Sequence, residues 1–185
     1  MDSFEALVAL LLEREGLWVR SGVKVELTKE EKRRIKRPAS PRWELDLVAY
    51  KATTNEVRIV ECKSFLDSPG VNIGGFDGSR PQDISRYKLF HERVLLKTVV
   101  GRLVAQLEAA GACRASPKVV LCLAAGKIRS DRDRAALRAH FAKRGWHLYD
   151  DAWIIQRVRQ MASSGYEDNV AAVVAKLIER APKAA

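Results

Sequence analysis

Apolar and polar positions alternate most regularly between residues 43 and 63. The stretches WELDLVAY (43–50) and EVRIVECK (56–63) are rich in β-branched, aromatic and apolar residues, and the polar tetrad Ala52-Thr53-Thr54-Asn55 separates them. Period-two patterning on both sides of turn-forming residues predicts an antiparallel hairpin. Upstream, residues 3–15 place apolar side chains at helical spacing, with Ser3 as N-cap and Gly16 closing the helix, and 17–27 reads as a strand. Downstream, residues 82–110 carry an amphipathic stripe (Ile84, Tyr87, Phe90, Val94, Val99, Leu103, Leu107) that predicts a long helix broken at most once. KVVLCLAA (118–125) is a nearly continuous apolar run of the kind buried in mid-sheet. Then follow a helix over 130–144 capped by Ser130, an edge strand at 146–150, and two helices over 151–161 and 168–180. The last, capped by Asp168 or Asn169, has a stripe of Val170, Val173, Val174, Leu177 and Ile178 that is expected to face the core.

The hairpin sets charges against each other. Centring its turn between Thr53 and Thr54 puts Asp46 opposite Glu61, Glu44 opposite Lys63 and Val48 opposite Ile59. Opposed Cβ atoms lie roughly 4.5–5.5 Å apart, and alternation gives Glu61 and Lys63 one face while Val60 and Cys62 take the other. Two facing carboxylates repel unless a proton or a cation relieves them. Hard oxygen donors suit Mg²⁺, with Mn²⁺ as a substitute, better than zinc. Beside a phosphate such a site lowers the pKa of a water and stabilises developing charge, with Lys63 orienting the water. The plainer reading of the same residues is a cross-strand salt-bridge lattice on a solvated sheet face.

Charge extends this picture. Lys and Arg number 33 against 23 Asp and Glu, a net of +10 and a pI near 9.8, which favours a polyanionic partner. The strongest basic run, TKEEKRRIKRPASPR (28–42), reads as a short helix or mobile arm. Lys32, Arg33, Arg34, Lys36 and Arg37 there are candidates for nucleic-acid phosphate contacts, a solvated connector being the alternative. The glycine-rich segment 64–81 leaves the candidate site directly and reads as a lid or substrate loop, simple disorder being the other option. Cys62, Cys113 and Cys122 form no CxxC pair, which argues against structural zinc and suits a reducing cytoplasm. His91, His140 and His147 fall on separate elements and read as packing or surface residues. The apolar run 6–12 is too short to span a bilayer, so no membrane partner is expected. No Gly-rich nucleotide loop or internal repeat is visible. At this length, one domain over 1–185 is expected, with a core at about 3–150 and a helical addition at about 151–181.

WELDLVAY followed by VRIVECKSF resembles the metal-binding core of the PD-(D/E)XK nuclease superfamily, and EALVALLL…GLWVR (5–20) resembles the opening helix and strand of its Holliday-junction-resolvase-like and Mrr-like members. The resemblance covers roughly residues 3–126. It implies an α/β restriction-endonuclease-like core in the order α-β-β-β-α-β, with a mixed central sheet flanked by helices. It also implies a Mg²⁺-dependent endonuclease acting on DNA, possible as a homodimer because cutting two strands calls for two sites. On that pattern Glu5, Asp46 and Glu61 are metal and catalytic carboxylates, and Lys63 is the catalytic lysine. Leu45 stands where many members carry proline, and the insert 24–41 is longer and more basic than a minimal resolvase needs. RecB-like members carry QxxxY beyond the lysine; here Gln82 and Tyr87 are one residue further apart, leaving Gln82 as a neighbour of the site. The alternative from another class is a nucleic-acid-binding or assembly module that keeps the fold and does not cut.

Overall fold

The computed structural model describes residues 2–39, 42–165 and 167–181. Among them, five strands form one sheet in the order β1-β2-β3-β4-β5: Trp18–Val25, Trp43–Lys51, Glu56–Lys63, Lys118–Ala125 and His147–Tyr149. The first three run antiparallel as a meander, and β4 and β5 join β3 in parallel, so the sheet is mixed. Parallel pairing needs a crossover, and the helical segment 74–109 supplies it between β3 and β4.

The β2–β3 hairpin takes the expected register, with Val48 opposite Ile59 and Lys51 opposite Glu56. Its turn is a single 3₁₀ turn, Ala52–Thr54, closed by Asn55 in the left-handed conformation. The alternation, however, is interrupted. Val23, Val25, Trp43 and Leu45 face the same core as Val48 and Tyr50, whereas Val19, Leu47 and Ala49 face the opposite one. β1 and β2 therefore change faces at the rung of Gly22 and Asp46, which the otherwise regular β1–β2 ladder omits. Gly22 has φ +58°, a left-handed conformation that a glycine adopts without the Cβ penalty.

Helix α1 (Ser3–Arg14) covers one face of the sheet, burying Val8 and Leu12 against Leu47, Val60 and Cys122. Its N-cap is Asp2 rather than Ser3, in a capping box with Glu5. The basic segment begins as α2 (Lys29–Arg34), capped by Thr28 and Glu31. It is not a loose arm: Ile35 is buried, Arg37 grips both oxygens of Glu92 at 2.8 and 3.0 Å, and the Arg37 guanidinium stacks over Trp43.

The segment after β3 is tethered, in place of the expected lid. Val71 is fully buried and pairs with Ile128, its N–H donating to Lys127 O and its carbonyl accepting from Arg129 N, both at 2.9 Å. Ile73 N donates to the buried Asp133 carboxylate at 3.1 Å, and Phe76 packs on Tyr87, Phe90 and Phe141. The long helix expected over 82–110 is three pieces that follow α3 (Gly74–Asp77): α4 (Pro81–Ile84), α5 (Lys88–His91) and α6 (Arg93–Ala109). The breaks let Tyr87, Leu89 and Phe90 all bury, which one continuous stripe does not allow.

After β4, α7 (Asp131–Arg144) is capped by Ser130 and ends at Gly145. Helices α8 (Asp151–Ser163) and α9 (Val170–Arg180) pack on α1 around Leu11, Ile154, Met161 and Ala172. The α9 stripe faces outward, contrary to expectation. Val170, Val173, Val174, Leu177 and Ile178 are exposed, while the small Ala172 and Ala175 point inward and let the helix sit close. No helix among the described residues is long and apolar enough to cross a membrane.

Candidate active site

The β2–β3 ladder ends at Leu47 and Val60. One rung further Asp46, released from strand alternation, turns its carboxylate onto the backbone of β3 and accepts the Cys62 N–H at 2.8 Å. Glu61 accepts from Lys63 Nζ at 2.6 Å. Asp46 and Glu61 both line a cavity of 220 Å³ at this open end of the hairpin, walled by Trp43 and Glu44 on one side and by Ser85, Arg86, Lys88 and Leu89 on the other. The lip thus sets three carboxylates, Glu44, Asp46 and Glu61, against two cations.

Burial and repulsion act together on the acids. Burial pushes the Glu61 carboxyl above its ordinary value; Lys63 draws it back, and the charges of Asp46 and Glu5 add to the rise. Glu5 is raised by burial and then by Asp46. The three acids expected to cooperate therefore sense each other, yet they are not equivalent in place. Glu5 Oε2 serves the α1 capping box, accepting from Asp2 N at 3.2 Å. No three His, Cys, Asp or Glu side chains among the described residues are gathered to hold a metal ion. The donor set that fits a hard divalent cation is the pair Asp46 and Glu61, whose mutual repulsion a cation relieves.

Cys62 points to the α1 face, its thiol pushed far up by burial and by the nearby acids, so it remains a protonated core group. Gly126 fixes the end of β3. Its N–H donates to Lys63 O at 2.9 Å, and a Cβ there would lie 2.5 Å from Ser64 O.

Gln82 is exposed and does not line the cavity. Ser85, Arg86 and Lys88 do, and sequence reasoning placed Arg86 and Lys88 only on an exposed helix face. The signal was their position astride Tyr87, a buried residue whose phenol is raised by burial and, more weakly, by Asp83 and Glu61. Of the basic run, Arg37 is committed to Glu92, Arg34 reaches Glu30 at 3.6 Å, and Arg33 and Lys36 are exposed. Lys32 lies half-buried on α2. None of the five lines the acidic cavity.

The chain matches no protein-family model, no curated protein and no solved structure.

Proposed function

We propose that this protein is a Mg²⁺-dependent endonuclease of restriction-endonuclease-like fold that hydrolyses phosphodiester bonds in DNA. One observation carries the reading: Asp46 and Glu61 line a single cavity with Lys63 bonded to Glu61 and with Arg86 and Lys88 on the facing wall. A structural salt-bridge lattice needs no solvent-filled cavity between its acids and a cationic wall.

Asp46 and Glu61 would hold the divalent ion, with Glu5 adding negative charge behind them. When bound, the ion supplies neutralisation of the phosphoryl oxygens. Arg86 and Lys88 would draw the phosphate into the cavity, Arg86 through its planar fork and Lys88 as a point charge. Lys63, anchored by Glu61, would orient the attacking water and stabilise negative charge growing on the phosphorane. The water oxygen joins phosphorus and gives up a proton, one phosphorus–oxygen ester bond breaks, and the departing oxygen takes up a proton.

A non-cutting nucleic-acid module is favoured by a specific feature: Glu5, the third acid of the expected cluster, caps α1 through Asp2 N. Incubation of linear, supercoiled and four-way-junction DNA with and without Mg²⁺ or Mn²⁺ separates the two. Metal-dependent cutting that vanishes in Lys63→Ala supports the nuclease, and binding without cutting across the panel rejects it.

A further inference from the structure

A second cavity, of 650 Å³, lies between α2 and α6. Its lining includes Arg34, Arg93, Lys97 and Arg102, with Val94, Thr98 and Gly101 as its floor and Glu31 as its one acid. Glu31 is already neutralised: Arg102 donates to it from Nε and from a terminal nitrogen at 2.9–3.2 Å, and these bonds, outweighing burial, hold its carboxyl below the ordinary value. Among the described residues Arg93 and Lys97 are exposed and make no ion pair. They stand one helical turn apart on the same face of α6. Arg93 and Lys97 therefore present uncompensated positive charge beside Arg34, which reaches Glu30 at 3.6 Å, over an electrically quiet base.

Its floor carries a second mark. Gly101 sits inside α6, continues the row of Arg93 and Lys97, and an added Cβ would meet nothing within 4 Å. Glycine in a helix interior is disfavoured, and neither close packing nor a positive φ calls for it at this position. Its effect is a bare helix surface on which a ligand backbone lies close. Residues of the groove and of the acidic cavity lie close together in the sequence. Lys88 of α5 lines one, Arg93 opens α6 in the other, and Glu92 between them holds Arg37.

We propose that the α2–α6 groove is a binding track for the phosphate backbone of nucleic acid, which passes from Arg34, Arg93 and Lys97 toward Arg86 and Lys88 at the acidic cavity. The proposal rests on the nucleic-acid reading above but not on cleavage. A backbone track gives affinity and position without reading bases, so the ligand is an extended strand that continues past the acidic cavity.

The test is anisotropy of a fluorescein-labelled linear DNA duplex in metal-free buffer across a salt series. The triple variant R34E/R93E/K97E should lower affinity on the order of 10²-fold and flatten the log–log salt slope by about 2.7, roughly 0.9 for each phosphate that is no longer neutralised. A charge-matched control on exposed positions elsewhere, R132E/K143E/R159E, should lose far less. Gly101→Leu, which fills open space, should weaken binding several-fold with the slope unchanged. If the reversal lowers the melting temperature, R93A/K97A carries the test with a slope change of about 1.8. Groove variants that bind as the wild type does, or a control that loses as much, overturn the track and leave the nuclease reading standing. A wild-type protein that binds no duplex at all overturns both.

Discussion

Strand β3 carries one half-buried glutamate near each end, and the two have opposite electrostatic fates. At the turn end Glu56 accepts from Arg58 at 2.8 Å and Lys118 at 3.1 Å, while Arg58 also donates to the Tyr149 hydroxyl at 2.6 Å. Burial alone would raise Glu56, but those bonds outweigh it and hold its carboxyl below the ordinary value of 4.5. At the open end Glu61 is bonded to Lys63 and has two acids within electrostatic reach, and burial with those acids holds it above 4.5. The same residue type on the same strand is thus a satisfied structural ion in one place and a strained one in the other. Strain of that kind sets Glu61 apart from a structural ion, and the proposed nuclease function gives it a use.

The comparison is most sharply broken by function. Lys63→Ala or Asp46→Ala should lower metal-dependent cleavage by about 10³-fold or more, whereas Glu56→Ala should leave the rate of the folded protein within a few-fold. Equal losses at both ends, measured as single-turnover rates, would erase the distinction. Stability should respond in the reverse order. Arg58→Ala leaves Glu56 with the exposed Lys118 alone and takes the donor from the Tyr149 hydroxyl, and should cost about 1–2 kcal/mol, read in thermal melts as about 2–4 °C per kcal/mol at this size. Glu61→Gln should instead raise the melting temperature at neutral pH, by on the order of 1 kcal/mol, because it removes a buried charge that its neighbours oppose. A lowered melting temperature for Glu61→Gln would show that the Lys63 bond dominates.

The smallest effect is the pH dependence, and the two glutamates should give it opposite signs. Glu56, lowered in the fold, contributes stability that is present above pH 4.5 and is lost as pH falls through its folded value. Glu61, raised in the fold, contributes stability that is present below pH 4.5 and is lost as pH rises through its folded value. The advantage of Glu61→Gln over wild type should therefore grow as pH rises from 4.5, and the deficit of Glu56→Gln should shrink as pH drops below it. Melts across acetate and phosphate buffers measure both.

Much of this arrangement was legible in the sequence because side-chain periodicity encodes it. The period-two hairpin yields the register of Val48 and Ile59, and the apolar run 118–125 yields a buried strand beside β3. What periodicity does not encode is which side of a stripe the rest of the protein occupies. The α9 stripe was visible, but Ala172 and Ala175 take the inner face. The face change at Asp46 was hidden because it depends on the positive φ of Gly22, a residue on another strand. The tether of segment 64–81 was hidden because its anchor, Asp133, lies far along the chain. The cations of the site were seen as charges without a location, since Arg86 and Lys88 reach the cavity where the expected helix is interrupted between Ile84 and Lys88.

The shared face change of β1 and β2 carries a consequence for folding fidelity. Upstream and downstream of Gly22 and Asp46 the two strands have apolar patterns of opposite phase. Sliding β1 past β2 by one residue would mispair both phases at once and would also take Gly22 away from the rung of Asp46, where the two strands change faces. No near-native register keeps a good core while losing the site, or keeps the site above a bad core. Molecules that complete the sheet therefore all carry the same Asp46 rung, and if the proposed nuclease function holds, the specific activity of the refolded fraction should be independent of refolding yield.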